Sequence, residues 1–450
     1  MKHLFLIRHA KSSWADEDLG DRERPLNARG EKQLAPLGKA LTQNGGFDAV
    51  LYASNAERAK QTLAGVLPAT FPAGRAHVSP ELYTFDYQQL VHWLQKRENE
   101  EQIALIGHNP ALLELAQWLL KHPPAHLPTA SFIHIHIPVD HWCELKKGKG
   151  RLDRFLTPKD FSYPDFARKL KKRAETDGNN PAKDIPAALR HQLTVINQLE
   201  PGVILGLDNE FLHHYRIAIR RSRAIAESIQ EVTRDNLLSR AIKQLKRHAK
   251  ATGRLRDLHV LLEDLARLCQ GNEELRTTLH TYFENEAEEE HARLVNKLNG
   301  KHYHDSMNDW HHLIDSRKFN KLAGKLTPKD IRKVVEQRIR QFNRRTAELM
   351  VTSPDEDIHR LRKLLKRIRY LMELDKAGWK GGLKTLKGRQ KLYGGFQDLR
   401  VQIELMEQFR NNAPKALPAA ISGLEDVLKQ QKADVRKQIL ALGGLDGAQL

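Results

Sequence analysis

One basic pattern occurs twice in this chain, and it limits the possible folds more than any other feature. His213-His214-Tyr215-Arg216-Ile217-Ala218-Ile219-Arg220-Arg221-Ser222-Arg223 recurs as His359-Arg360-Leu361-Arg362-Lys363-Leu364-Leu365-Lys366-Arg367-Ile368-Arg369. Both copies read H-x-x-R-x-x-x-(R/K)-R-x-R. On an α-helix, at about 100° per residue, the first, fourth, eighth and eleventh positions fall within a stripe about 80° wide. His213, Arg216, Arg220 and Arg223 therefore share one helix face, and His359, Arg362, Lys366 and Arg369 share another. The intervening Phe211, Ile217, Ile219 and Ile225, and Leu361, Leu364, Leu365 and Ile368, have the spacing of a bundle core. A second pattern follows each copy: Lys243, Lys246, Lys250, Gly253 and Asp257, then Lys384, Lys387, Lys391, Gly394 and Asp398, each set expected on one helix face. The doubling predicts an all-α C-terminal domain made of two helical repeats, with four basic faces around one groove or channel.

Like charges three and four residues apart on a helix repel unless an anion lies between them. The formal net charge is +18, and it is uneven: residues 1–160 hold 20 Lys and Arg against 18 Asp and Glu, residues 161–450 hold 54 against 38. Such an excess points to a polyanion. Sites for single-stranded nucleic acid interleave aromatic residues for base stacking. Here Tyr215 and Tyr370 are the nearest, and no recognition-helix arrangement is visible, so a pure phosphate chain fits better than nucleic acid. No apolar run approaches the roughly 18–20 residues of a membrane span, which disfavours a membrane partner. Residues 1–7 are too short for a signal peptide. Cys143 and Cys269 lie far apart with no CxxC partner, as expected in a reduced cytoplasm. A length of 450 residues implies two or three domains.

The first half alternates strands and helices. Leu4-Phe5-Leu6-Ile7 is continuously apolar, as a parallel strand buried on both faces is, and it runs directly into Arg8 and His9. Asn27 is expected to cap a helix over 28–43, which Gly45-Gly46 ends. A second strand is expected over 47–53, with Ser54 capping the helix whose first turns carry Arg58. A third, over 102–107, ends at His108; Asn109 is expected to cap the next helix, with Pro110 at its first position. A fourth, over 131–138, is expected near an edge because of Pro138, and Lys146-Lys147-Gly148-Lys149-Gly150 reads as a turn before the last strand. The order predicts an α/β N-terminal domain, a mostly parallel sheet flanked by helices. Ligands bind beyond the carboxyl ends of such strands, where Arg8, His9, Arg58 and His108 are expected to converge.

Two arginines and two histidines at one end of a sheet suit a phosphoryl group. Arginine's planar fork matches phosphate oxygens. A neutral histidine can attack phosphorus, and a second can hydrogen-bond its equatorial oxygens. Arg24 could rim this pocket or anchor its loop. His134 and His136 share a strand face, but with no third ligand apparent they are not read as a metal pair.

Leu6-Ile7-Arg8-His9-Ala10, Arg24-Pro25-Leu26, Ser54-Asn55-Ala56-Glu57-Arg58-Ala59-Lys60-Gln61-Thr62, Pro80-Glu81-Leu82 and Leu105-Ile106-Gly107-His108-Asn109-Pro110 resemble the histidine phosphatase superfamily. Within it the closest match is the small SixA-type phosphohistidine phosphatases, over residues 1–160. Ala10 stands where the family motif has Gly. The resemblance implies that His9 is a nucleophile that becomes phosphorylated, and that Arg8, Arg58 and His108 hold the phosphate. Glu81 is the nearest match to the general acid of larger members, with Asp16, Glu17 and Asp18 as alternatives whose plainer reading is a solvated loop. No metal or organic cofactor is implied.

The doubled basic patterns resemble the CHAD domain, the conserved-histidine α-helical domain, over residues 183–450, with 161–182 as a polar linker. That family is associated with inorganic polyphosphate. The resemblance implies a polyphosphate channel lined by His213, Arg216, Arg220, Arg221, Arg223, Lys246, Lys250, His359, Arg362, Lys366, Arg367, Arg369, Lys387 and Lys391. Ser222 stands where the family more often has an apolar residue. The function implied is a phosphohistidine or phosphoester phosphatase working through a phospho-histidine intermediate, coupled to a polyphosphate-binding domain. Its partners would be inorganic polyphosphate and a phosphorylated protein or small phosphorylated substrate, in the cytoplasm and at polyphosphate granules. Two alternatives stand beside it: a polyphosphate-binding or granule-targeting protein with a weak or regulatory phosphatase domain, and a polyphosphatase.

Overall fold

A computed structural model describes residues 1–16, 18–168, 181–413 and 417–445. The chain divides into two compact units, Met1–Lys171 with Pro201–Phe211, and Lys172–Glu200 with Leu212–Leu450.

In the first unit β1 (Lys2–Arg8), β2 (Val50–Ser54), β3 (Ala76–Ser79), β4 (Gln102–Gly107), β5 (Phe132–Ile137) and β6 (Arg151–Leu156) form one sheet in the order β3-β2-β4-β1-β5-β6. The pairs β1–β4, β2–β4 and β2–β3 are parallel; β5 runs antiparallel to both β1 and β6. The helices are α1 (Ala28–Gln43), α2 (Glu57–Val66), α3 (Tyr87–Gln95) and α4 (Ala111–Leu119). The central strand explains the apolar run. Leu4 and Leu6 pack with Trp93, Leu94, Leu112 and Leu115 of α3 and α4. Phe5 and Ile7 pack on the other face with Leu37 and Leu41 of α1 and Ala59 and Leu63 of α2. Each such side chain contributes about 1.5–3 kcal/mol by leaving water, so the strand that ends in Arg8 and His9 is firmly seated.

Several local expectations are corrected. The strand before Ser54 begins at Val50 rather than residue 47, and β3, a four-residue edge strand of exposed and half-buried residues, carries no apolar run to betray it. β5 lies near an edge as expected, next to the edge strand β6. Pro138 follows the last residue of β5 and removes no ladder bond. Residues 158–161 and 163–167 form short helices, α5 (Pro158–Phe161) and α6 (Tyr163–Ala167). Phe161 is fully buried, and Asp165 accepts from Arg29 Nε at 3.0 Å and Gln33 Nε2 at 3.1 Å. The start of the expected linker is thus packed structure; its residues 169–180 lie outside the described residues.

The remaining helices are α7 (Pro181–Leu205), α8 (Asn209–Thr233), α9 (Ser239–Ala251), α10 (Gly253–Leu268), α11 (Glu273–Leu298), α12 (Lys301–Asp315), α13 (Arg317–Ala323), α14 (Pro328–Ala347), α15 (Asp355–Met372), α16 (Lys380–Asn412) and α17 (Pro418–Leu442). The first basic pattern lies on α8 and again on α15. The second does not keep one face in both copies. Its later copy lies within α16, but its earlier copy is split where α9 ends and α10 begins, at Thr252. Of the expected core positions, Phe211, Ile219, Ile225, Leu361, Leu365 and Ile368 are buried, whereas Ile217 is 45% exposed. Among the described residues no helix is long and apolar enough to cross a membrane.

Candidate phosphoryl site and basic helix faces

Beyond the carboxyl end of β1 the backbone is fixed before the chemistry begins. Asn27 caps α1 as expected, its Oδ1 accepting from the N–H groups of Arg29 and Gly30 at 3.0 and 2.9 Å. Gly30 has to be glycine because a Cβ there would overlap the Lys11 carbonyl oxygen. The Ala10 N–H donates to Thr62 Oγ1 at 3.0 Å. These contacts tie the segment after His9 to α1 and α2.

His9 donates from Nδ1 to the Ala10 carbonyl at 2.7 Å. Arg58 Nε donates to His9 Nε2 at 3.3 Å. A guanidinium only donates, so Nε2 carries the lone pair. Burial, and then the charges of Arg58 and Arg8, outweigh the Ala10 hydrogen bond and hold the ring at a pKa of about 4. The histidine is therefore neutral at pH 7, with its lone pair on Nε2.

Arg58 is the hub. Its Nη2 donates to Asp21 Oδ2 at 2.8 Å and to His108 Nδ1 at 3.3 Å, and its Nη1 donates to the Asp21 carbonyl. His108 Nδ1 must then accept, which puts the ring proton on Nε2, 2.8 Å from Ser54 Oγ. Burial, followed by His9 and Arg58, holds His108 at about 3. Arg8 Nη1 donates to the Leu127 carbonyl at 2.8 Å, while its buried Nε has no partner among the described residues. Four of the expected residues are thus brought together, with Arg58 in the first turn of α2 as expected. Arg24 pairs with Asp21 at 3.6 Å and lies 3.9 Å from the centre of the Trp14 ring, an anchor for its own loop.

Two capping expectations fail for one reason, that the side chains serve the site. Ser54 is the last residue of β2 and receives His108; the N-cap position of α2 is Ala56, with no side-chain cap. Pro110, not Asn109, is the N-cap of α4, and Asn109 Nδ2 donates to the Leu127 carbonyl at 3.0 Å. Glu81 is exposed on a short 3-10 turn. The carboxylate bonded into the site is Asp21, which sequence reasoning passed over. Partial burial raises its pKa, but hydrogen bonds from Arg58 and Tyr83 and the nearby Arg58 and Arg24 charges more than offset this and hold it below the usual carboxylate range. Its only sequence signal was a position in the loop that precedes Arg24.

In the second unit α8 and α15 bring their basic faces together. Burial, then Arg220, Arg362, Arg369 and Arg216, push Lys366 down to about 7. Arg216, lowered by burial and Arg220 to about 10, donates to the Ala249 carbonyl at 2.6 Å and Thr252 Oγ1 at 2.9 Å, exactly where α9 gives way to α10. His359 Nδ1 lies 2.6 Å from Gln397 Oε1 on α16. Lys243, Lys246, Lys250, Lys384, Lys387 and Lys391 are all exposed. Buried Ser222 Oγ finds no partner among the described residues.

Arg221 and Arg367 are held differently from their neighbours. Arg367 pairs with Glu227 at 2.6 Å and Glu231 at 2.7 Å, and Arg221 pairs with Glu373 at 3.2 Å. Arg223 and Arg369 contact the same Glu227 and Glu373 from within their own helices, at 3.5 and 3.0 Å. The exchange is reciprocal: the ninth residue of each pattern grips the glutamate six residues further along the other copy. These four arginines spend some or all of their charge on carboxylates, a pairing that the basic pattern alone concealed.

The CHAD domain family model matches residues 187–407, and the model for the histidine phosphatase superfamily (branch 1) matches residues 4–87. The chain joins a histidine phosphatase superfamily segment to a CHAD domain. Arg8, His9, Asp21, Arg58 and Glu81 lie inside the phosphatase match and His108 beyond it; both copies of both basic patterns lie inside the CHAD match. The CHAD domain of the plant Ricinus communis is similar in fold, with 21% identity and a TM-score of 0.50 over 60% of this chain and 95% of that one. A protein histidine phosphatase SixA complexed with tungstate is 22% identical, with a TM-score of 0.29 over 35% of this chain and 97% of that one. An uncharacterized chloroplastic protein of Arabidopsis thaliana is 29% identical over 128 residues, which is 26% of this chain and 59% of that relative's length.

Proposed function

We propose that the phosphatase segment hydrolyses a phosphoramidate such as phosphohistidine, with His9 as the nucleophile, and that the CHAD segment binds inorganic polyphosphate. The observation that carries the first part is the tautomer of His9. The Ala10 carbonyl fixes the proton on Nδ1 and leaves the Nε2 lone pair beside Arg58. Nε2 attacks phosphorus, the bond to the leaving group breaks, and Arg8 and Arg58 neutralise the equatorial oxygens. A phosphate dianion raises the proton affinity of His108, which once protonated donates from Nδ1. Water then attacks phospho-His9 and releases phosphate.

The leaving group favours a phosphoramidate. Asp21, the carboxylate bonded into the site, is held ionised and is a poor proton donor. A phosphohistidine ring protonated on its far nitrogen departs as neutral imidazole, whose conjugate acid has a pKa of about 6.5, and so needs no acid from the site, whereas an alkoxide does. For polyphosphate the supporting observation is the convergence of Arg216, Arg220, Arg362 and Lys366 from two helices, where burial and then the neighbouring cations push Lys366 down to about 7. An anion placed among them relieves that repulsion.

The test is phosphate release by the full chain and by His9→Ala, given a phosphohistidine peptide and long-chain polyphosphate side by side. Release from the peptide that falls at least about 10³-fold in the variant supports the reading. Release from polyphosphate that disappears in the variant makes the chain a polyphosphatase, and unchanged release from the peptide refutes His9 as nucleophile. Salt-dependent polyphosphate binding, retained in the variant, is expected of the CHAD segment.

A further inference from the structure

Three imidazoles that the phosphoryl site does not use meet on the sheet face that carries Phe5. His3 is at the start of β1, at the opposite end from His9; His134 and His136 are on β5, where His136 pairs with His3 and His134 with Phe5. His3 Nδ1 lies 3.2 Å from His134 Nε2. One ring nitrogen from each of the three lies within 4.8 Å of the others. Two imidazole nitrogens bound to one tetrahedral zinc, at about 2.0–2.1 Å each, stand about 3.3–3.4 Å apart. His3 is the third ligand that the sequence did not reveal, because pairing of β1 with β5 rather than chain order brings it there.

The surroundings are those of a ligand set. His134 is 6% exposed, stacked on Phe5, with Nδ1 3.1 Å from Asp153 Oδ2. A carboxylate at one ring nitrogen holds the proton there and leaves the other nitrogen for a metal. Asp153 reaches this face through a bulge: His134 pairs with Arg154 and Ile135 with Leu152, so Asp153 is the extra residue between them. Arg151 Nη2 donates to His136 Nδ1 at 3.1 Å, but its side chain is exposed and free to turn away.

We propose that His3, His134 and His136 bind a divalent transition-metal ion such as Zn²⁺, with Asp153 orienting His134. In the metal-free chain one of the facing nitrogens, His3 Nδ1 or His134 Nε2, donates to the other. Moving that proton to the far nitrogen of its own ring frees both facing nitrogens, so binding requires no net loss of a proton from this pair. The ion would fasten β1 to β5 and leave a fourth coordination position for water.

The experiment is a zinc titration of the chelator-treated full chain against a chromophoric zinc indicator, alongside His3→Gln and His136→Gln. Both of these residues are half-buried, so the fold tolerates the change better than at His134. Circular dichroism in chelator checks that each variant is folded, and one folded variant suffices. The wild type is expected to bind one more Zn²⁺ per chain than either variant, and Asp153→Asn to bind it about 10–100-fold more weakly. Zinc should raise the melting temperature of the wild type more than that of the variants. Equal stoichiometry and affinity in the wild type and the folded variants, including no binding by any, overturns the proposal and leaves a hydrogen-bonded histidine cluster.

Discussion

Replacing His9 by glutamine should make the protein relatively more stable in acid. His9 is 6% exposed and held at a pKa of about 4. In the unfolded chain it returns to about 6.5. Between these values the unfolded state takes up a proton that the folded state refuses. Stability therefore falls as pH drops through 6.5 and levels off below 4. At pH 7 the effect is small; at pH 4 linkage gives a loss of about 3 kcal/mol from this residue alone. His9→Gln keeps a polar side chain but removes the titration. Urea unfolding of both proteins at pH 7, 5.5 and 4 measures the difference, followed by tryptophan fluorescence, with Trp93 and Trp142 both buried in the first unit. Titrating groups away from the site are common to both proteins and cancel; His108, relieved of His9, shifts upward in the variant and adds to the effect in the same direction. The variant's stability relative to wild type should improve by about 3 kcal/mol between pH 7 and pH 4. Parallel behaviour across that range refutes the claim that burial and Arg58 keep His9 neutral.

Asp21→Asn removes the charge that now faces Arg58, so inorganic phosphate should inhibit turnover several-fold more strongly, read as a lower inhibition constant. Lys366, lowered to about 7, loses its charge as pH rises; polyphosphate binding should weaken between pH 6 and 8, and Lys366→Arg should flatten that dependence in a fluorescence titration. Arg367→Met leaves Glu227 and Glu231 short of a partner and should cost about 1–3 kcal/mol in thermal or urea unfolding. Lys246→Ala, at an exposed position, should leave stability unchanged and reduce the salt slope of polyphosphate binding by about 1.

Where function required a local signal, the sequence was readable. The strand ending in Arg8 and His9 announced itself because a strand buried on both faces has no polar alternation to confuse. The basic stripes on α8 and α15 were visible because helical spacing is local. What escaped depended on partners distant in sequence. Asp21 resembles any acidic loop residue until Arg58 is folded against it. Ser54 and Asn109 have the chemistry of helix caps, and the site instead draws one to His108 and the other to the Leu127 carbonyl. The break between α9 and α10 was hidden because its second-copy counterpart continues unbroken in α16. His3 gave no hint of His134, since only strand pairing relates them.

The exchange of arginines and glutamates between α8 and α15 has a mechanical meaning. Each copy of the pattern carries cations on two sides, one set facing its twin's carboxylates and the other crowded against its twin's cations. Left alone, that crowding would drive the helices apart. Arg221 on Glu373 and Arg367 on Glu227 act as crossed struts that hold the repelling surfaces at a set separation. For the polyanion proposed above, a surface fixed in this way would leave little of the attraction to be consumed in gathering the helices.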